Sequence, residues 1–291
     1  MELSEKDLAL QRDQRGEKNK VREWLGEFLD VDKMNSRILK RLELLNSLTS
    51  FVEEEKEAIG YARKLFEYYR NSKPERIFSP EEERIALVGV IMADIGKTGP
   101  ASASESQQAV IIRLFGIEGV RDVKTPIRDF LRTKFPETAA RDIELLKEMN
   151  IDPSMPIEKF WRLHSKWTLQ IIEGDGIPEK DLPGAALHHV LEGDNVELLD
   201  EAGNFKEIVV DGKTKLRFGE NRRFDRPEKL VVLLDKYSAF IKRIANINHG
   251  RIIERLKELV ARNDRFKNDP GFLELIDDLD KALEPPHEES D

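Results

Sequence analysis

Apolar positions recur with a helical period along most of the chain. Val21, Trp24, Leu25, Phe28 and Leu29 fall at i, i+3, i+4, i+7 and i+8 and line one face of a helix. Ile38, Leu42, Leu45, Leu48, Phe51 and Val52 keep that period, as do Ile59, Ala62, Leu65, Phe66 and Tyr69. Ser79-Pro80-Glu81-Glu82 predicts a helix start: a serine to cap, a proline for the first turn, and a glutamate three residues after the serine. The run from Ile85 to Met92 is apolar nearly all round, so this helix is expected at the centre of the fold. Ser104 and Gln107 form a second capping pair, ahead of a helix that stops at Gly116. Thr125-Pro126 opens another, and Pro136 begins one that ends near Asn150. Further helices are expected over 156–173, 182–192, 227–263 and 270–283.

One stretch changes period. Phe205 to Val210 and Lys213 to Phe218 flank Asp211-Gly212, which reads as a β-hairpin with a tight turn. The chain is therefore expected to be all-α with a small hairpin. Its predicted organisation is a mobile tail over 1–16, N-terminal helices over 17–50, a main helical domain over 51–264 with the hairpin at 203–219, and a C-terminal helix with a polar tail over 265–291. The helices within 17–72 are open to two arrangements, packing in cis or forming a homodimer interface.

Composition narrows the chemistry. The 291 residues include no cysteine, which excludes disulfides, thiolate metal sites and thiol nucleophiles. No run approaches the ~20 apolar residues of a bilayer span. The charged start, Met1-Glu-Leu-Ser-Glu-Lys-Asp, has no signal-peptide pattern, so a cytoplasmic location is expected. A net charge of −9 disfavours general nucleic-acid binding, which needs a basic surface. Any metal must sit on imidazole or carboxylate, and there are only five histidines.

Gly96-Lys97-Thr98 suggests a phosphate loop, but Ile91 stands where that motif needs glycine, and a helix precedes it instead of a strand. What remains is Asp94, a carboxylate closing a buried helix and costly there unless paired or metal-bound. Asp235 interrupts the apolar run Leu230 to Phe240 in the same way. His164 lies among Phe160, Trp161 and Trp167, a setting in which a satisfied core histidine is the commoner case. His188 and His189 are adjacent; on a helix they point ~100° apart, and reach one ion only in the wedge between them. Taken together, three histidines and two embedded aspartates on helices far apart in sequence suit a divalent ion in a helical bundle.

The segment Met92-Ala-Asp94-Ile-Gly-Lys97-Thr-Gly-Pro100 resembles the His-Asp-Ile-Gly-Lys segment of the HD-domain metal-dependent phosphohydrolases, with Ala93 in place of the histidine. His164, then His188-His189, then Asp235-x-Tyr237-x-Ala239 follow in the order and approximate spacing of the HD-GYP branch, over about residues 50–245. The resemblance implies an HD-domain-like helical bundle and a divalent metal (Fe, Mn, Ni or Zn). Asp94, His164, His188 and His189 would form one metal site. Asp94 and Asp235 are what is retained of a second, since the stretch 51–66 holds no histidine; the Gly-Tyr-Pro tripeptide is absent as well. Lys97 would neutralise substrate phosphate, with Arg243 a further candidate for substrate binding. Two functions follow. One is a phosphohydrolase or phosphodiesterase acting on a phosphate-containing small molecule or nucleotide, with Asp94 and Lys97 catalytic. The other is a catalytically degenerate HD fold serving as a binding, regulatory or scaffold module.

Overall fold

The computed structural model describes residues 20–116, 122–173, 176–210, 212–219 and 223–284. The expected mobile tail over 1–16, Asp211 of the expected hairpin turn and the polar end after Glu284 lie outside the described residues. The fold is all-α with one small hairpin. Its helices are α1 (Ser36–Leu48), α2 (Phe51–Ser72), α3 (Pro80–Ala93), α4 (Glu105–Phe115), α5 (Ile127–Lys134), α6 (Ala139–Glu148), α7 (Ile157–Trp161), α8 (Leu163–Ile172) and α9 (Pro183–Leu187). Strands β1 (Glu207–Val210) and β2 (Lys213–Leu216) come next, then α10 (Arg226–Arg243), α11 (His249–Arg262) and α12 (Pro270–Leu283). β1 and β2 pair antiparallel, with Val210 opposite Lys213. No helix among the described residues is long and apolar enough to cross a membrane.

The capping pairs form as their side chains dictate. Ser79 N donates to Glu82 Oε2 at 2.7 Å and Glu82 N to Ser79 Oγ at 3.2 Å, which starts α3. Ser104 and Gln107 make the equivalent box at α4, and Asp225 with Glu228 a third at α10. Each box satisfies two amide donors that a helix start leaves unpaired.

The chain folds into two compact units, Met1–Val52 with Asp94–Ile177, and Glu53–Ala93 with Pro178–Asp291. In the first, α4 to α8 gather a core that includes Val110, Ile111, Leu114, Phe130, Leu131, Leu146, Phe160 and Trp167. In the second, α3 is buried from Ile85 to Ala93 apart from a half-buried Leu87, and α10 is buried from Leu230 to Leu234. Two glycines let these helices close up. A Cβ at Gly89 of α3 would stand 2.6 Å from Val231 Cγ2, and one at Gly184 of α9 would stand 2.7 Å from the same methyl.

Three expected helices are interrupted, two of them by side chains that take helix carbonyls. The stretch 156–173 divides into α7 and α8 at Arg162, where His164 Nδ1 and Ser165 Oγ take the carbonyls of Trp161 (2.5 Å) and Arg162 (3.1 Å). The stretch 182–192 stays α-helical only to Leu187. There His188 Nδ1 donates to Ala185 O at 2.6 Å and Asn195 Nδ2 to Ala186 O at 2.7 Å. Side chains thus occupy carbonyls that backbone amides would use to carry the helix on. The stretch 227–263 divides into α10 and α11 across 244–248. Asn246 adopts a left-handed φ of 58° there, and Asn248 caps α11 by accepting from Arg251 N at 2.9 Å.

Candidate metal centre

Asp94 follows the last residue of α3 and opens a 3₁₀ turn, Asp94–Thr98. Gly96 brings this turn onto α8. Its amide donates to Thr168 Oγ1 at 3.1 Å, and a Cβ at this position would lie 2.0 Å from His164 O. Only glycine permits that backbone approach. The result sets Asp94 Oδ1 3.7 Å from His164 Nε2, while Lys97 Nζ pairs with Asp94 Oδ2. The loop beyond is held by Arg41 of α1, a residue 2% exposed. Its guanidinium donates to Thr98 Oγ1 (2.7 Å), Thr98 O (3.2 Å), Gly99 O (3.3 Å), Pro100 O (2.8 Å) and Ala101 O (3.0 Å).

His188 and His189 do not sit on a continuous helix, as the sequence led us to expect. They occupy the turn that leaves α9, and their rings meet edge to face with centroids 4.4 Å apart. Gly184, pressed against Val231, lies one helical turn before His188 and fixes the exit of α9. The turn is held from outside by Asn263 Nδ2, which donates to Leu191 O at 2.9 Å. Asn195 closes it with a left-handed φ of 57°.

Behind His189 lies a charged chain. His189 Nδ1 donates to Glu192 Oε2, and Lys236 Nζ donates to the same oxygen at 2.5 Å and to Asp235 Oδ2 at 2.9 Å. Lys236 Nζ and His189 Nδ1 stand 3.0 Å apart as two donors sharing one acceptor. Burial alone would raise the Asp235 carboxyl. Lys236, His189 and His188 outweigh it and hold the group well below the usual carboxylate range. Burial likewise opposes the Lys236 ammonium, but Asp235 and Glu192 prevail and raise it.

His164 belongs to the first unit and His188 and His189 to the second; the first two rings are buried and the third is half-buried. These three imidazoles are of a type that could hold a metal ion. In all three rings Nδ1 is committed to an oxygen: Trp161 O, Ala185 O and Glu192 Oε2. A carbonyl accepts and cannot donate, and Lys236 holds the Glu192 carboxylate as an acceptor, so Nδ1 carries the proton and the lone pair of the neutral ring falls on Nε2. Tethering the distal nitrogen to a carbonyl or carboxylate is how metal-binding histidines are usually oriented, so the donor set fits a divalent cation.

Within the first unit Asp94 stands beside His164, and within the second Asp235 lies under the influence of His188 and His189. Lys97 rests on Asp94. Arg243 is exposed at the end of α10, about 12 Å along the axis from Asp235 at the usual rise per residue. Sequence reasoning missed Arg41, Thr168, Glu192, Asn195 and Asn263. For Glu192 there was a usable signal, an acid three residues after His189; the others act through backbone carbonyls and amides that leave no pattern in the sequence. Comparison of the chain with protein-family models, with curated proteins and with solved structures found no match.

Proposed function

We propose that the chain is a metal-dependent phosphohydrolase or phosphodiesterase of HD type, acting on a phosphate ester or nucleotide. The observation that carries this reading is the set of three histidines with every Nδ1 tethered to an oxygen. A divalent cation bound there supplies a hydrolytic nucleophile at neutral pH, by lowering the pKa of water to about 7. By the resemblance, His164, His188 and His189 would hold it. Asp94, beside His164, would add a negative ligand or take up a proton from bound water. Lys97 balances Asp94 in the absence of substrate and is placed to turn toward phosphate oxygens when one arrives. The ammonium of Lys236 already compensates Asp235, which favours one ion per chain over two.

One observation favours the second reading, a catalytically degenerate HD fold that binds or regulates. Ala93, 5% exposed, stands where the resemblance places a metal-ligating histidine. The two readings part on metal content and turnover. Protein purified without chelator should carry about one transition-metal ion per chain and hydrolyse bis-p-nitrophenyl phosphate in the presence of Mn or Fe. His188→Ala should lose both properties while staying folded. Metal-free protein with no hydrolysis under any divalent ion would establish the binding module instead.

A further inference from the structure

We infer that the first unit carries a second site, a cleft that binds a small amphipathic anion: a carboxylate on an aliphatic body. The cleft lies over the core of that unit, between α4 and the segment 135–145, and encloses about 710 Å³. Small-molecule sites run from about 300 to 1,000 Å³ and combine an apolar lining with a few placed polar groups. Ala109, Phe135 and Leu145 line it and are each only part-buried, and Leu48 stands half-exposed at its rim. These side chains therefore present apolar surface that folding leaves in contact with water.

The polar end is formed by Arg113 and Arg141. Both guanidinium groups pair with one carboxylate, Asp142, which is fully buried and also accepts from Thr138 Oγ1 at 2.6 Å. Arg113 lies 4.4 Å from the centroid of the Phe135 ring, which orients its plane against the lining. Arg113 Nε is buried and makes no hydrogen bond. The arithmetic at this end is two cations to one anion, with an unused donor, and it matches one further negative charge. Arg presents a planar fork suited to a carboxylate. A ligand with its head on Arg113 and Arg141 and its chain along Ala109, Leu145 and Leu48 would meet the charge and cover the apolar surface together. This cleft shares no residue with the histidine centre and does not depend on the function proposed for it.

Calorimetric titration with decanoate and with decanol, its neutral counterpart, tests the proposal. Decanoate should bind the intact protein at one site, at least tenfold more tightly than decanol. Arg141→Gln removes the more exposed cation while Arg113 and Thr138 still satisfy Asp142; it should weaken decanoate about tenfold and leave decanol unchanged. Ala109→Trp fills the cleft and should abolish binding of both, with the melting temperature reporting that the variant is folded. Absence of decanoate binding at low millimolar concentration, equal affinity for decanol, or binding indifferent to both variants would overturn the proposal.

Discussion

At the scale of single residues, the candidate site depends on hydrogen atoms placed by neighbours. His189 offers Nε2 because Glu192 takes the proton side of the ring, and Lys236 keeps Glu192 in place. Glu192→Ala should therefore lower metal affinity 10–100-fold, the usual range for an outer partner of a metal-binding histidine, with little change in secondary structure. Metal titration followed by competition with a chelator measures it; Glu192→Gln, which still accepts a hydrogen bond through its carbonyl oxygen, should fall between the two. Gly96 is the other sensitive position. A methyl there would meet His164 O at 2.0 Å, so Gly96→Ala must push the Asp94–Thr98 turn away from α8. The expected cost is about 1–3 kcal/mol, typical of overpacking, read as a lower denaturation midpoint. Affinity for metal should drop as well, because the same displacement separates Asp94 from His164.

Among elements, the three C-terminal helices are joined by a polar relay. Tyr237 of α10 meets His249 Nδ1 of α11 at 3.0 Å, and His249 Nε2 meets Asp280 Oδ1 of α12 at 2.9 Å. Burial first, then Tyr61 and Asp280, push the Tyr237 phenol up to about 12. Its folded value thus lies above its unfolded value near 10. The native state holds this proton more tightly, so the contribution is complete below pH 10 and is lost as pH rises from 10 to 12. Stability measured across that window should fall less steeply in Tyr237→Phe than in the parent chain. The same helices mark how far the sequence could be read. Capping residues located the starts of α3 and α4, and the unbroken apolar run identified α3 as buried, because both signals are local. The breaks at 162, 188 and 244–248 escaped it. Val190 and Leu191 continue the apolar pattern of Ala185 to Leu187 whether or not the backbone stays helical. The event that ends α9 is instead a hydrogen bond from His188 and another from Asn195, nine residues after the carbonyl it takes. The resemblance indicated His164, His188 and His189 as residues, but not the turn that lets two adjacent rings converge.

For the whole molecule, a ligand that binds only the folded chain stabilises it by mass action, about 2.7 kcal/mol at one hundred times its dissociation constant. A chelator should accordingly lower the melting temperature of protein purified with its metal by several degrees, and Mn or Ni should restore it. His188→Ala should abolish that response to both. The net charge of −9 acts in the same direction, since an acidic chain attracts divalent cations at low ionic strength. The dependence of the response on salt will separate this diffuse attraction from a specific site.

Arg41 bears on the order in which the chain assembles. Its guanidinium precedes Thr98 by 57 residues, yet it supplies donors to four consecutive carbonyls, the last of the Asp94–Thr98 turn and the three that follow it. Contacts of that sequence separation form after local helices, because closing the intervening loop costs entropy first. The stretch 98–101 should therefore gain protection from hydrogen exchange only once α1 has docked, later than the amides of α4. Arg41→Lys, with one ammonium in place of a fork, should leave α4 protected while the amides of Gly99 and Ala101 exchange freely. The end of a short turn is thereby made a late reporter of a distant helix.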